Sequence, residues 1–206
     1  FSYDLRNSLE DLPCRAEDDT GIPDIFFVFY RAILVYDHTR PGRLSAHILE
    51  LADDAGPAPG AILEDVKNNI SSAPSGAPLP AFKCGGPARS DFSRDAYTNC
   101  VRKALEHIRN GDIYQICLSQ RFSAPFSGSP YGLFLEMNRS NPAPFSAYLN
   151  FGDICVLSSS PELFLKVEGP SIETRPMKGT RPAGCCETES RRFLEELQNS
   201  EKEKAE

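Results

Sequence analysis

Apolar residues recur along this chain in two rhythms, and the change from one to the other marks its elements. From residue 22 to 52 the β-forming residues dominate. Ile25-Phe26-Phe27-Val28-Phe29 and Ala32-Ile33-Leu34-Val35 predict strands, Asp37 to Gly42 a turn, and Leu44 to Leu49 the next strand. Gly60 to Ile70 predicts a short helix, and Ser71 to Pro87 is rich enough in proline and glycine to read as a linker. Beyond Asp91 the period becomes helical, with Tyr97, Val101, Ala104, Leu105 and Ile108 on one face. Ser93 is the expected N-cap, Asp95 suits the first turn, and Asn110-Gly111 is the expected stop. Strict alternation follows: Tyr114, Ile116, Leu118, Gln120 and Phe122 on one face, and Gln115, Cys117, Ser119 and Arg121 on the other. That pattern predicts a strand with one rather polar face. Tyr131 to Asn138 predicts a second helix, and Phe145 to Leu149 and Ile154 to Leu157 two more strands. From Glu187 onward the chain is charged and helical, with Phe193, Leu194 and Leu197 on one side.

Between these elements lies Ser158 to Pro182, where the pattern meets chemistry. Leu163-Phe164-Leu165 reads as a buried strand, Gly169-Pro170 as a turn, and Ile172 to Arg175 as the return strand. Such a hairpin brings Glu162 and Lys178 to the same end of a sheet. A lysine and a glutamate facing one pocket are a candidate nucleophile and general acid. An ordinary lysine amine is about 0.04% unprotonated at neutral pH, and freeing it there costs roughly 4.6 kcal/mol. Burial or a neighbouring cation lowers that cost, and Arg175 and Arg181 bracket Lys178 in sequence.

Composition narrows the classes. The chain has 206 residues and a net charge of −7, which disfavours nucleic acid as a partner. Hydrophobic content of 40% is that of a globular protein, and no apolar run reaches the roughly 18 residues of a membrane span. The seven cysteines are irregularly spaced and form no CxxC pair, so a zinc site is not expected. Cys117 and Cys155 fall in strand-like runs and read as small core residues; Cys185-Cys186 reads as two free thiols. Reduced thiols, with no signal peptide in view, suit the cytoplasm or an organelle stroma such as a plastid's. His38, His47 and His107 have no ligand spacing.

GDIYQICLSQRF (111–122), NPAPFSAYL (141–149), SSSPELF (158–164), ETRPMKGTRP (173–182) and NSEKEKAE (199–206) occur in an order that resembles the chorismate-utilising enzymes. The lysine in Pro-Met-Lys-Gly-Thr makes the chain most like the aminodeoxychorismate synthase component I group, since anthranilate synthases usually carry a small residue there. The resemblance implies an α+β fold of large, mostly antiparallel sheets packed face to face with helices outside, here only in part. It implies that residues 1–52 end an N-terminal part, 53–90 connect, and 91–206 form the first half of a catalytic domain. A half-domain leaves apolar faces uncovered, so the chain alone is expected not to turn over chorismate.

Roles follow from the resemblance. Lys178 is the nucleophile that attacks C2 of chorismate as the C4 hydroxyl departs, and Glu162 is the acid that protonates that hydroxyl. Gly179 and Thr180 bind substrate through the backbone, Glu206 holds Mg²⁺, and Pro144, Phe145 and Ser146 contact a bound tryptophan. A glutamine amidotransferase, as a subunit or a fused domain, supplies ammonia. Each residue also has a plainer reading. Lys178 is then a surface ion-pair lysine, Glu162 a turn carboxylate capping backbone N–H groups, and Gly179-Thr180 a tight turn. Pro144 to Ser146 is then a rigid strand entry, and Glu206 a polar helix residue. Anthranilate synthase component I, or a non-catalytic module that binds tryptophan or a partner, are the alternative functions.

Overall fold

In the computed structural model the described residues are 2–11, 13, 18–50, 56–74, 76 and 78–205. They divide into two compact units, Phe1–Pro78 and Leu79–Glu206. The first opens on a 3-10 turn, Tyr3–Ser8, whose Asp4 amide donates to the Ser2 hydroxyl. Strands β1 (Ala32–Tyr36) and β2 (Leu44–Ile48) pair antiparallel from Ala32 opposite Ile48 to Tyr36 opposite Leu44. Asp37 closes the turn between them, accepting from the Thr39 amide at 2.9 Å and its hydroxyl at 2.6 Å. Helix α1 (Pro59–Ser72) packs on β2. The expected strand at Ile25–Phe29 does not form.

The second unit runs β3 (Phe82–Cys84), β4 (Arg89–Ser90), α2 (Arg94–Asn110), β5 (Phe122–Ser123), β6 (Phe126–Gly128), α3 (Pro130–Ser140), β7 (Phe145–Asn150), β8 (Cys155–Ser160), β9 (Leu163–Glu168), β10 (Ser171–Arg175), α4 (Glu187–Asn199) and α5 (Glu201–Ala205). Helix α2 has the predicted ends: the Ala96 amide donates to the Ser93 hydroxyl, and Gly111 stops the helix at φ 79°. Four antiparallel ladders form in this unit, β3 with β6, β4 with β5, β7 with β8, and β9 with β10. The α+β class with antiparallel pairing therefore holds. The alternating run before Phe122 is a correction. Only Phe122–Ser123 joins a ladder, and Tyr114, Ile116 and Cys117 are exposed. Alternation assigns faces; a strand also needs a hydrogen-bonded neighbour, and Tyr114–Ser119 has none among the described residues.

Packing centres on α3, which lies against β3, β7 and β8. Tyr131, Phe134 and Tyr148 cluster there, with the rings of Tyr131 and Tyr148 edge to face at 5.3 Å. Gly132 is buried, and a Cβ on it would stand 3.0 Å from the Pro80 carbonyl carbon and nearer still to its oxygen. The helix sits as close as it does because that position has no side chain.

The β9–β10 hairpin turns at Gly169 (φ 55°) and Pro170, the two-residue connection in which glycine takes the first central place. Its register shifts once: Glu173 faces Lys166, but Arg175 faces Leu163. Strand β9 thus carries one extra residue near its start, a β-bulge.

Among the described residues no hydrophobic side chain is fully buried; Phe29 and Tyr114 are about four-fifths exposed and Phe164 nearly nine-tenths. The chain exposes 17059 Å². Two independent compact domains with the lengths of these units would expose about 11,000 Å² together. Part of the excess is apolar side chain, both in loops, as at Phe29 and Tyr114, and on a strand, as at Phe164. No described helix is long and apolar enough to cross a membrane.

Candidate functional site

The site is built on the two ends of the β9–β10 hairpin and the turn that enters it. Strand β8 ends at Ser160, and Pro161 stops the ladder because it has no N–H to give. The Ser160 hydroxyl then closes a tight turn, accepting from the Glu162 amide at 3.3 Å and donating to the Glu162 carbonyl at 3.1 Å. That turn fixes where the Glu162 side chain starts. Across the open end of the hairpin, the Met177 amide donates to Glu162 Oε1 at 2.9 Å. The carboxylate is therefore tied to the peptide that precedes Lys178. The other carboxylate oxygen has no partner among the described residues.

Lys178 is exposed and forms no ion pair among the described residues. The arginines that bracket it are both engaged. Arg175 pairs with Glu173 beside it on β10. Arg181 Nη1 donates to Glu203 Oε1 at 3.0 Å, and these side chains are only 28% and 12% exposed. The two cations are thus held by carboxylates.

Glu203 was not singled out from the sequence. Its carboxylate lies over Gly179, where a Cβ would stand 2.7 Å from Glu203 Cδ. It sits on α5, three residues before Glu206, and that helical spacing was the available signal. Gly179-Thr180 and the residues up to Gly184 form one wall of a cavity of about 380 Å³. Phe193, Leu194 and Leu197 of α4 form the other, on the side predicted to be apolar. Glu162, Lys178, Gly179 and Thr180 are thus brought together along one hairpin end and one loop.

Pro144, Phe145 and Ser146 stand apart at the start of β7. Phe145 faces Ser160 in register, so this strand entry abuts the turn that carries Glu162. The Ser146 hydroxyl donates to the Ala143 carbonyl at 2.9 Å. Ser159, opposite Ser146, has an enclosed hydroxyl without a partner among the described residues. Glu206 lies outside the described residues, as does Cys14. Among the described residues no three His, Cys, Asp or Glu side chains gather as a metal site. Cys155 is half-buried, within 3.5 Å of the Tyr148 hydroxyl, which it holds above the usual phenol range.

Comparison with known proteins gives this arrangement a family. The chain is 40% identical to anthranilate synthase component 1 of Thermus thermophilus, over all of its own length and 44% of that protein's. It is 35% identical to aminodeoxychorismate synthase component 1 of Escherichia coli, over all of its length and 43% of that protein's. It superposes on the crystal structure of anthranilate synthase component I from Streptococcus pneumoniae with a TM-score of 0.72 and 25% identity, covering 98% of this chain and 45% of that one. The chain thus spans a little under half the length of the relatives it matches. The family model for chorismate binding enzymes matches residues 1–206, and the chain belongs to that family.

Proposed function

We propose that this chain forms part of an enzyme that aminates chorismate at C4 to give 4-amino-4-deoxychorismate, the precursor of p-aminobenzoate and folate. The observation that carries this reading is Lys178, an exposed amine without an ion pair among the described residues. It sits one residue from the amide that anchors Glu162. In the proposed reaction the neutral Lys178 amine attacks C2. Both ring double bonds shift, and the C4 hydroxyl leaves as water with a proton from Glu162. Ammonia then attacks C4, both double bonds shift back, and the bond from C2 to the lysine nitrogen breaks. Tethering of one Glu162 oxygen leaves the other for the leaving group. The Gly179 and Thr180 backbone, at the edge of the 380 Å³ cavity, would bind the substrate carboxylates.

Magnesium belongs to the proposal through Glu206, and carboxylate oxygen is the donor that this ion prefers. No step is routed through it, because the described residues do not complete a site for it. Ammonia would come from a glutamine amidotransferase. Tryptophan would lie against Pro144, Phe145 and Ser146, where the unsatisfied Ser159 hydroxyl offers a hydrogen bond. The six free cysteines among the described residues support a cytoplasmic or organelle-stroma setting.

A second reading, anthranilate synthase component I, is favoured by the 40% identity to the Thermus thermophilus protein. One experiment separates the two. These 206 residues are exchanged for the aligned part of the Escherichia coli aminodeoxychorismate synthase component 1, and products from chorismate, Mg²⁺ and ammonia are identified. Aminodeoxychorismate is expected, with a loss of about a hundredfold or more in the Lys178→Ala chimera. Anthranilate as product, or full aminodeoxychorismate formation by Lys178→Ala, would overturn the proposal.

A further inference from the structure

Cys185 and Cys186 follow the loop that walls the cavity, and the proposed reaction uses neither. Both thiols are exposed. Their surroundings differ. Cys186 is the N-cap of the 13-residue helix α4, with extended backbone at φ −148° and ψ 169°. Its side chain makes no capping hydrogen bond, but it stands at the N-terminus of α4, where the Glu189 amide first, then the Cys185 thiol and the Thr188 amide, favour its charged form. They hold the Cys186 thiol below its ordinary range. Cys185 is pushed the other way, first by the Glu189 carboxylate and then by the Cys186 sulfur. Glu189 Oε2 also accepts from the Cys185 amide at 2.7 Å, which locks the carboxylate beside this thiol. The pair therefore joins a sulfur placed for nucleophilic attack to a neighbouring thiol.

We propose that Cys185-Cys186 is a modification site for small hydroperoxides, with Cys186 the attacking sulfur and Cys185 the resolving one. In the first step the Cys186 thiolate attacks the outer peroxide oxygen. The O–O bond breaks, Cys186 becomes a sulfenic acid, and the departing alkoxide or hydroxide takes a proton from solvent. In the second step the Cys185 sulfur attacks the Cys186 sulfenic sulfur. A disulfide forms, and the hydroxyl leaves as water with the Cys185 proton. The two sulfur atoms lose two electrons, and the peroxide gains them. The resulting ring is strained. Adjacent Cα atoms lie about 3.8 Å apart, against roughly 4.4–6.8 Å for ordinary disulfides. Strained, exposed disulfides are readily reduced, so the modification reverses in thiol. The strain falls on the α4 N-cap, where the Cys186 carbonyl accepts from the Ser190 amide at 3.0 Å, and on the loop between it and Gly179.

The test does not depend on the reaction assigned to Lys178. The purified chain is treated with limiting hydrogen peroxide, alkylated and digested with trypsin. The 179–191 peptide then carries both sulfurs, since trypsin passes over Arg181-Pro182. The expected product is this peptide lighter by two hydrogens and restored by dithiothreitol. Cys84 and Cys117, also exposed, serve as internal references and should oxidise at least about tenfold more slowly. Cys185→Ser should stop at a sulfenic acid on Cys186 that dimedone captures. Cys186→Ser should leave Cys185 as slow as the reference thiols. Oxidation of Cys186 no faster than Cys84 and Cys117, dimedone capture at Cys185 instead, or a disulfide to a cysteine outside the pair would each overturn the proposal.

Discussion

Replacing Gly179 by alanine should destabilise the second unit only because Glu203 is there. Gly179 is not among the glycines with positive φ, so alanine fits its backbone. Taken alone the change should stabilise by about 0.5–1 kcal/mol, through lost freedom of the unfolded chain. The new Cβ, however, would stand 2.7 Å from Glu203 Cδ and drive the carboxylate off the Arg181 guanidinium. At 3.0 Å the pair has a gross attraction of about 5–6 kcal/mol at an effective dielectric of ~20. Desolvation and residual solvent contact reduce that to a net of roughly 1–2 kcal/mol. The loss of the ion pair therefore outweighs the entropy gain, and Gly179→Ala should cost about 1 kcal/mol, or about 3–5 °C in Tm. In a Glu203→Ala background the obstacle is gone, and the same substitution should raise Tm slightly. Thermal and urea unfolding of the four proteins, followed by circular dichroism, closes the cycle. Equal effects of Gly179→Ala in both backgrounds would refute the reasoning.

Gly132→Ala pits helix propensity, worth about 1 kcal/mol in favour of alanine, against a clash with the Pro80 carbonyl. The clash should win by about 1–3 kcal/mol, read as a lower urea midpoint. The Asp37 carboxyl is held below its usual range, first by the Thr39 hydroxyl and then by the Thr39 amide. Its contribution is present above the ordinary carboxylate range and lost as pH falls through its lowered value. Asp37→Asn should therefore be less stable than the parent near neutral pH, and the gap should close in acid; a gap independent of pH would refute this. The chain alone, given chorismate, Mg²⁺ and ammonia, should yield no aminodeoxychorismate and should bind the apolar dye ANS strongly, since so much apolar surface is uncovered.

What could be read from the sequence was whatever is decided locally. Ser93 and Gly111 bracket α2 because capping is a property of a few neighbouring residues. Gly169-Pro170 announced the hairpin for the same reason. The Tyr114 to Phe122 alternation misled because it specifies faces and says nothing about whether a neighbouring strand is there. Cys117 followed that error and lies exposed. The site divides the same way. Glu162 and Lys178 are candidates through their motif, whereas Glu203 reaches Gly179 and Arg181 across more than twenty residues, a contact that no local pattern encodes.

The bulge in β9 makes the hairpin a ruler. One extra residue on that strand sets which residue of the return strand arrives opposite Glu162, and so which amide is in reach of its carboxylate. Adding or removing a single residue between Glu162 and Glu168, or between Ser171 and Met177, would shift this alignment by a full step and turn alternate side chains to the other face. Extra residues at Gly169-Pro170 would leave it untouched. In this segment, then, length change is tolerated at the tip and excluded from the arms. A variant with an altered arm should be judged as a variant of the candidate site even when every site residue is retained.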